Sequence, residues 1–262
     1  MSFLSFSKYQ GAGNDFLLAD NRTGAYDSLS QQAIAQLCNR RFGIGADGLI
    51  MLENSSHHDF RMNYFNADGR PGSFCGNGAR CVVKYAISLG IVREQFLFEA
   101  ADGPHRAGIA KNGEVWLGMK DVHQVITQSE FAEIDTGSPH LVVKVNDLSN
   151  TDVVLLGKKF RYSKEYKEKG INVNFVQRTV QENKIEIRTY ERGVEDETYS
   201  CGTGAVAAAI ACAPSSTGAY QFTVITKGGV LSVRFVKREA TFEEIVLCGP
   251  AEPVFETRLA IK

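Results

Sequence analysis

The segments YFNADGRPGSFCGNGAR at residues 64–80 and YERGVEDETYSCGTGAV at residues 190–206 decide the fold, because each runs through the same series of local signals. A strand pattern leads into a polar loop, the loop closes on Cys-Gly-x-Gly-Ala, and a helical pattern follows. Tyr64 stands eleven residues before Cys75, and Tyr190 eleven before Cys201. Upstream lies a second echo. Gly13-Asn14-Asp15-Phe16 precedes Cys75 by 62 residues counted from Gly13, and Gly137-Ser138-Pro139-His140 precedes Cys201 by 64 counted from Gly137. Duplication accounts for this better than chance, since loop length, preceding strand and following helix all agree. The chain therefore reads as two related halves, 1–121 and 122–249, with the boundary near the polar stretch that begins at Val122.

Outward from these segments, residues 60–65, 95–99, 114–119, 184–190, 222–226, 230–236 and 244–247 alternate apolar and polar side chains and are rich in β-branched and aromatic residues, which predicts strands. Ser30 followed by QQAIAQLCNRRF predicts a capped helix, and residues 78–89 and 204–212 predict helices opening at glycine. The class is mixed α/β with sheet dominant. The charged run KEYKEK at 164–169 reads as a solvated face.

Composition narrows the function. The 262 residues carry 29 basic and 30 acidic side chains, a net charge of −1, so no global field favours nucleic acid or an anionic membrane. A small-molecule substrate is the expected partner. No apolar stretch approaches the roughly 20 residues that cross a bilayer. The N-terminus lacks the basic and apolar regions of a signal peptide, which predicts a cytoplasmic protein. Six cysteines without a CxxC pair support neither a disulfide scaffold nor a zinc site, so no metal is expected. Cys38, Cys81, Cys212 and Cys248 are assigned to packing or surface.

Cys75 and Cys201 are different. Each is expected at a tight glycine turn before a helix, where backbone N–H groups and the positive end of the helix dipole converge. That setting favours a thiolate and offers amides to a carboxylate or phosphate. Two halves that each offer one thiol suggest stereoinversion. One thiolate takes the proton from a carbon bearing a carboxylate, and the facing thiol returns a proton on the other side. Helix-terminal amides would hold the charge that spreads onto the carboxylate.

With those residues in place, the sequence resembles diaminopimelate epimerase along its whole length. The matching segments are FSKYQGAGNDF (6–16), RFGIGADGL (41–49), FNADGRPGSFCGNGARC (65–81), GSPH (137–140), INVNFVQ (171–177), RTYERGVEDETYSCGTGAVAAA (188–209), GGVLSV (228–233) and CGPAEPVF (248–255). The resemblance implies two pseudo-symmetric α/β domains, each a mostly antiparallel sheet wrapped round a central helix. It places the active site in the interdomain cleft and returns residues 250–262 to the first domain. It implies a cofactor-independent epimerase that interconverts LL- and meso-2,6-diaminopimelate for lysine and cell-wall precursor synthesis. It further implies a homodimer, although the sequence carries no interface signature.

Carried onto matching positions, the resemblance makes Cys75 and Cys201 the acid/base pair, assisted by His140 and Glu191. Asn66, Asn172 and Arg192 would bind the distal amino-acid end, with Arg192 suited to a bidentate carboxylate contact. Asn14, which His140 is taken to echo, would meet the reacting ammonium, and Gly76, Asn77, Gly202 and Thr203 would supply amides to the α-carboxylate. Ser138 replaces the asparagine of the common GNPH form, which shortens or removes one substrate contact, and Gly48 stands where some members carry glutamine.

Two rivals remain. A proline or hydroxyproline racemase-like enzyme would also use facing cysteines, but Asn66, Asn172 and Arg192 suit a long substrate charged at both ends. A nucleotide- or phosphate-binding module with incidental cysteines is disfavoured, because no G-x-x-x-x-G-K-[ST] run exists.

Overall fold

In the computed structural model, which describes residues 2–261, the chain divides into two units. One holds residues 1–117 and 250–262 and the other Gly118–Gly249. The division falls ahead of the 121/122 boundary read from the sequence. Val122 exchanges backbone hydrogen bonds with Phe242, and the Met119 amide donates to the Ile245 carbonyl, so these residues are held by the second unit's own sheet.

The first unit contains β1 (Ser2–Gly11), β2 (Asn14–Asp20), α1 (Gln31–Cys38), β3 (Gly48–Glu53), β4 (Phe60–Asn66), α2 (Gly76–Ser88), β5 (Phe96–Ala100), β6 (Gly103–Ile109) and all of β7 (Val115–Gly118) but its last residue. The second contains β8 (Val125–Gln128), β9 (Phe131–Asp135), β10 (Pro139–Lys144), α3 (Val153–Arg161), β11 (Asn172–Arg178), β12 (Lys184–Glu191), β13 (Asp196–Thr198), α4 (Gly202–Ala211), β14 (Gly218–Thr226), β15 (Gly229–Lys237) and β16 (Phe242–Gly249). β17 (Glu252–Ile261) returns to pair with β1 in the first unit.

The two sheets share one wiring. In the first, the order is β17-β1-β2-β3-β4-β5-β6-β7, antiparallel except for β2/β3 and β4/β5. In the second, the order is β8-β9-β10-β11-β12-β14-β15-β16, antiparallel except for β10/β11 and β12/β14. Each parallel pair needs a crossover, and the four helices supply them. α1 and α3 bridge the first parallel pair of their unit, and α2 and α4 bridge the second.

The central helices read directly from composition. α4 is GTGAVAAAIA, apolar on every side, and all of it except Thr203 and Ala211 is buried among β9–β12 and β14–β16. α2 is enclosed similarly against β1, β2, β3 and β6. The outer helices α1 and α3 cover the opposite sheet faces over separate apolar clusters, Leu17, Ile34 and Leu49 in one and Leu141, Val173 and Tyr190 in the other. Central strands are thus covered on both faces and lose alternation, as GLIMLE in β3 does. That is why β2, β3, β10 and β11 escape a search for alternation.

Both central helices begin at Gly76 and Gly202, two residues ahead of the sequence-predicted starts at Gly78 and Gly204. Glycine's low helix propensity disguises the first turn. The equal tyrosine spacing also misleads. Tyr64 pairs with Ile50, while Tyr190 pairs with Val173, one register step from the matching place. Adjacent strand residues point to opposite faces. Tyr64 accordingly meets Phe16 on the α2 side, whereas Tyr190 packs on Gly157 of α3.

Candidate active site

Cys75 and Cys201 occupy one local geometry twice. Each is the N-cap of its central helix, at φ −121°, ψ 112° and φ −120°, ψ 112° respectively. The Cys75 carbonyl accepts the Ala79 amide at 2.8 Å and the Cys201 carbonyl the Ala205 amide at 2.9 Å, the first intrahelical bonds. Neither thiol caps its helix. An N-cap of Ser, Thr, Asp or Asn would spend its side-chain oxygen on a first-turn amide. Cysteine leaves those amides turned toward an incoming anion. Cys75 is half-buried and Cys201 buried, with Thr203 Oγ1 at 3.5 Å from its sulfur.

The expected tight glycine turns are absent, since Gly76, Gly78, Gly202 and Gly204 all keep negative φ. The second glycine of each motif is instead a close-approach site. A Cβ on Gly78 would lie 2.7 Å from Ile50 Cδ1, and one on Gly204 would lie 2.3 Å from Asn174 Oδ1.

In the first unit, Asn14 and Asn77 are joined. Asn77 donates its amide to Asn14 Oδ1, Asn14 donates to Asp47 at 2.9 Å, and Arg80 donates to Asn77 Oδ1 at 2.9 Å. Arg40 links Asp47 to Asp15, and Lys8 lies 2.6 Å from Asp15. Burial alone would raise the Asp15 pKa, but hydrogen bonds from Arg40 and Lys8 and their charges overcome it and bring it down to about 2. Asn66 stands apart from this chain, exposed at the end of β4, where its backbone turns toward Arg70 and Gly69.

In the second unit, His140 is fully buried. Its Nδ1 faces the Asn174 amide nitrogen at 3.0 Å, and its Nε2 has no hydrogen-bond partner among the described residues. Burial, and then the Arg192 charge, lowers its pKa from 6.5 to about 3, so the ring is neutral. Asn172 donates to Ser138 Oγ at 2.9 Å and accepts the Arg192 amide at 2.9 Å. The Arg192 guanidinium donates to the Lys169 carbonyl at 3.0 Å. The charged run 164–169 therefore also supplies an anchor for Arg192. Glu191 ends β12, half-buried, and Thr203 has its carbonyl held by Thr136 Oγ1 at 3.1 Å.

Two further expectations change. The parallel register makes Phe16 with Gly48 the counterpart of His140 with Asn172, so Ser138, not His140, stands where Asn14 does. Gly48 does more than lack a side chain. A Cβ there would strike the Phe65 carbonyl at 2.3 Å and the Tyr64 ring at 2.6 Å.

Against this geometry, the sequence model of diaminopimelate epimerase matches residues 6–124 and 132–254. The diaminopimelate epimerase of Flavobacterium psychrophilum is 48% identical over 253 residues, covering 96% of this chain and 98% of the relative. That of Chlorobaculum tepidum is 41% identical over 266 residues, covering 96% and 99%. The chain belongs to the diaminopimelate epimerase family. Solved structures extend the likeness in fold alone. A Bacillus anthracis phenazine biosynthesis protein of the PhzF family superposes with TM-score 0.75 at 16% identity over the full length of both chains. A probable proline racemase from Agrobacterium radiobacter gives TM-score 0.67 at 15% identity, covering 99% of this chain and 93% of that one.

Within this diaminopimelate epimerase family member, sequence reasoning missed the polar residues that support His140, Asn14 and Asn77. Asn174 and Thr189 lie under α4, and Asp47, Arg40 and Arg80 hold Asn14 and Asn77. One signal was available for Asn174. In INVNFVQ it follows Asn172 by two, the spacing that puts both on one strand face.

Proposed function

We propose that this chain interconverts LL- and meso-2,6-diaminopimelate without a cofactor, by two-base chemistry at Cys75 and Cys201, in lysine and cell-wall precursor synthesis. The observation that carries the reading is the repeated N-cap cysteine: one backbone geometry at two topologically equivalent helices, in a member of this family. In this reading the two thiols act on opposite sides of one α-carbon. The thiolate removes the α-proton as the opposite thiol delivers its own, and the roles exchange in the reverse direction. First-turn amides of Gly76, Asn77, Gly202 and Thr203 hold the α-carboxylate and the charge delocalised onto it.

His140 and Glu191 assist proton movement at the thiols. Asn14 meets the reacting ammonium, and its place is supported by the Asp47 and Asn77 bonds that fix its amide. Asn66, Asn172 and Arg192 bind the distal end, and Ser138 acts through its bond to Asn172. The anchored guanidinium suits a bidentate carboxylate contact. The reading includes a cytoplasmic location and a homodimer. Among the described residues no helix is long and apolar enough to cross a membrane. Sedimentation velocity checks the dimer, and a lone 28.8 kDa species counts against it.

The deciding assay incubates purified protein with LL-diaminopimelate in deuterated water and no added pyridoxal phosphate. Meso product carrying deuterium at one α-carbon is expected. Label entering proline instead, or no label in either, overturns the assignment. Cys75→Ala and Cys201→Ala each abolish inversion, and Cys→Ser leaves residual proton exchange. Full activity in Cys201→Ala removes the two-base scheme.

A further inference from the structure

The two units share a scaffold but differ in what lies beneath the first turn of the central helix. In the first unit the register places Phe16, Ile50 and Tyr64 there, with Phe16 and Ile50 fully buried. In the second, the same places hold His140, Asn174 and Thr189, all at most 2% exposed. The close approach matches too, with Ile50 against Gly78 in one unit and Asn174 against Gly204 in the other. The apolar Phe16 and Ile50, beside the half-buried Tyr64, thus build this layer adequately. Three buried polar side chains in its twin carry a desolvation cost that the fold does not require.

Their hydrogen bonds run in one direction. Asn174 Nδ2 approaches the Leu141 carbonyl at 3.3 Å, and a carbonyl can only accept, so this end of the amide is the NH2. Thr189 donates to Asn174 Oδ1 at 2.9 Å, which agrees. The remaining amide hydrogen points at His140 Nδ1, 3.0 Å away. Nδ1 must therefore accept, and the proton of the neutral ring sits on Nε2. That Nε2 is buried and has no partner among the described residues.

We infer that Asn174 is a positioning residue that locks His140 in its Nε2–H tautomer, so that His140 serves the reaction as a hydrogen-bond donor and not as a base at Nε2. A carboxylate in place of Asn174 would accept from Nδ1–H and leave a lone pair on Nε2, the opposite arrangement. Here the amide and Thr189 hold the ring as a donor, and the protons exchanged with the substrate carbon stay on the two thiols. The role of His140 in turnover rests on the epimerase reading. The tautomer does not.

The test combines histidine 15N NMR with turnover of LL-diaminopimelate. Wild type is expected to show His140 with Nε2 protonated and Nδ1 bare. Asn174→Asp, nearly isosteric, moves the proton to Nδ1 and lowers kcat about tenfold to a hundredfold while KM changes by less than roughly threefold. Asn174→Ile installs the residue used in the first unit, so it keeps the packing. It gives mixed tautomers, a smaller fall in kcat and a melting temperature lowered by the lost partners of His140 Nδ1 and Thr189 Oγ1, with the fold kept. Retention of the Nε2–H tautomer in Asn174→Asp overturns the lock, and unchanged kcat after a tautomer swap overturns its service to the reaction. A wild type that does not turn over diaminopimelate fails the epimerase reading alone, because the NMR spectra still decide the tautomer.

Discussion

Asp15 shows how much of this molecule is decided by single polar side chains. Its carboxylate is depressed to about pKa 2 although burial acts the other way, because Arg40 and Lys8 bond it from two directions. A depressed acid stabilises the fold above its unfolded value near 3.8 and loses that contribution as pH falls toward 2. Asp15→Asn is expected to lower stability by about 2 kcal/mol at pH 7. Urea titrations should show the gap between variant and wild type closing between about pH 4 and pH 2. His140 has the opposite charge type. Its folded pKa of about 3 lies below 6.5, so the unfolded chain binds the extra proton and stability declines as pH drops below 6.5. His140→Phe, which copies Phe16, should flatten that decline between pH 6.5 and pH 4 in the same titrations. Cys75 and Cys201 were legible at this scale because their motif repeats. The groups that support their neighbours were not, since Arg40 and Asp47 reach Asn14 from a loop, and Asn174 and Thr189 reach His140 only through the pairing of β10, β11 and β12.

At the scale of the element, α2 and α4 show what a glycine can conceal. Gly78 and Gly204 read as helix openers, yet each is an internal helical residue kept small by the strand beneath it. The neighbours differ in their freedom to yield. Ile50 Cδ1 is the end of a flexible side chain, whereas Asn174 Oδ1 belongs to an amide held at both ends. Gly204→Ala should therefore cost about 1–3 kcal/mol, and Gly78→Ala distinctly less, as read from thermal or urea midpoints. The favourable helix propensity of alanine, worth about 1 kcal/mol, offsets the second more nearly than the first. The outer helices are simpler. Ser30 and Asp152 cap α1 and α3 through the Ala33 and Leu155 amides, and replacing either with alanine should cost about 1 kcal/mol. Ser30 was legible from its own neighbourhood, but α3 was hidden by the charged residues that crowd its last turn.

Across the whole molecule, the first unit depends on the far end of the chain. β17 pairs along nearly the full length of β1, and the Pro250 carbonyl accepts Arg80 Nε at 3.2 Å behind Asn77. The second unit closes the corresponding edge with β8, supplied from within its own continuous stretch. Ending the chain at Gly249 should strip hydrogen-exchange protection from β1 and β2 while β9–β12 keep theirs. Equal loss in both units would show that they do not open separately. The sequence alone determined the duplication, the repeated cysteine motif and the family, because these rest on residue identity and spacing, which a linear string preserves. Only the tertiary structure decided that Tyr64 and Tyr190 face opposite ways, that Ser138 is the counterpart of Asn14, and that Asn174 governs His140. The physical reason is register. A shift of one residue along a strand reverses the face to which every side chain points, and that shift is set by pairing between distant strands.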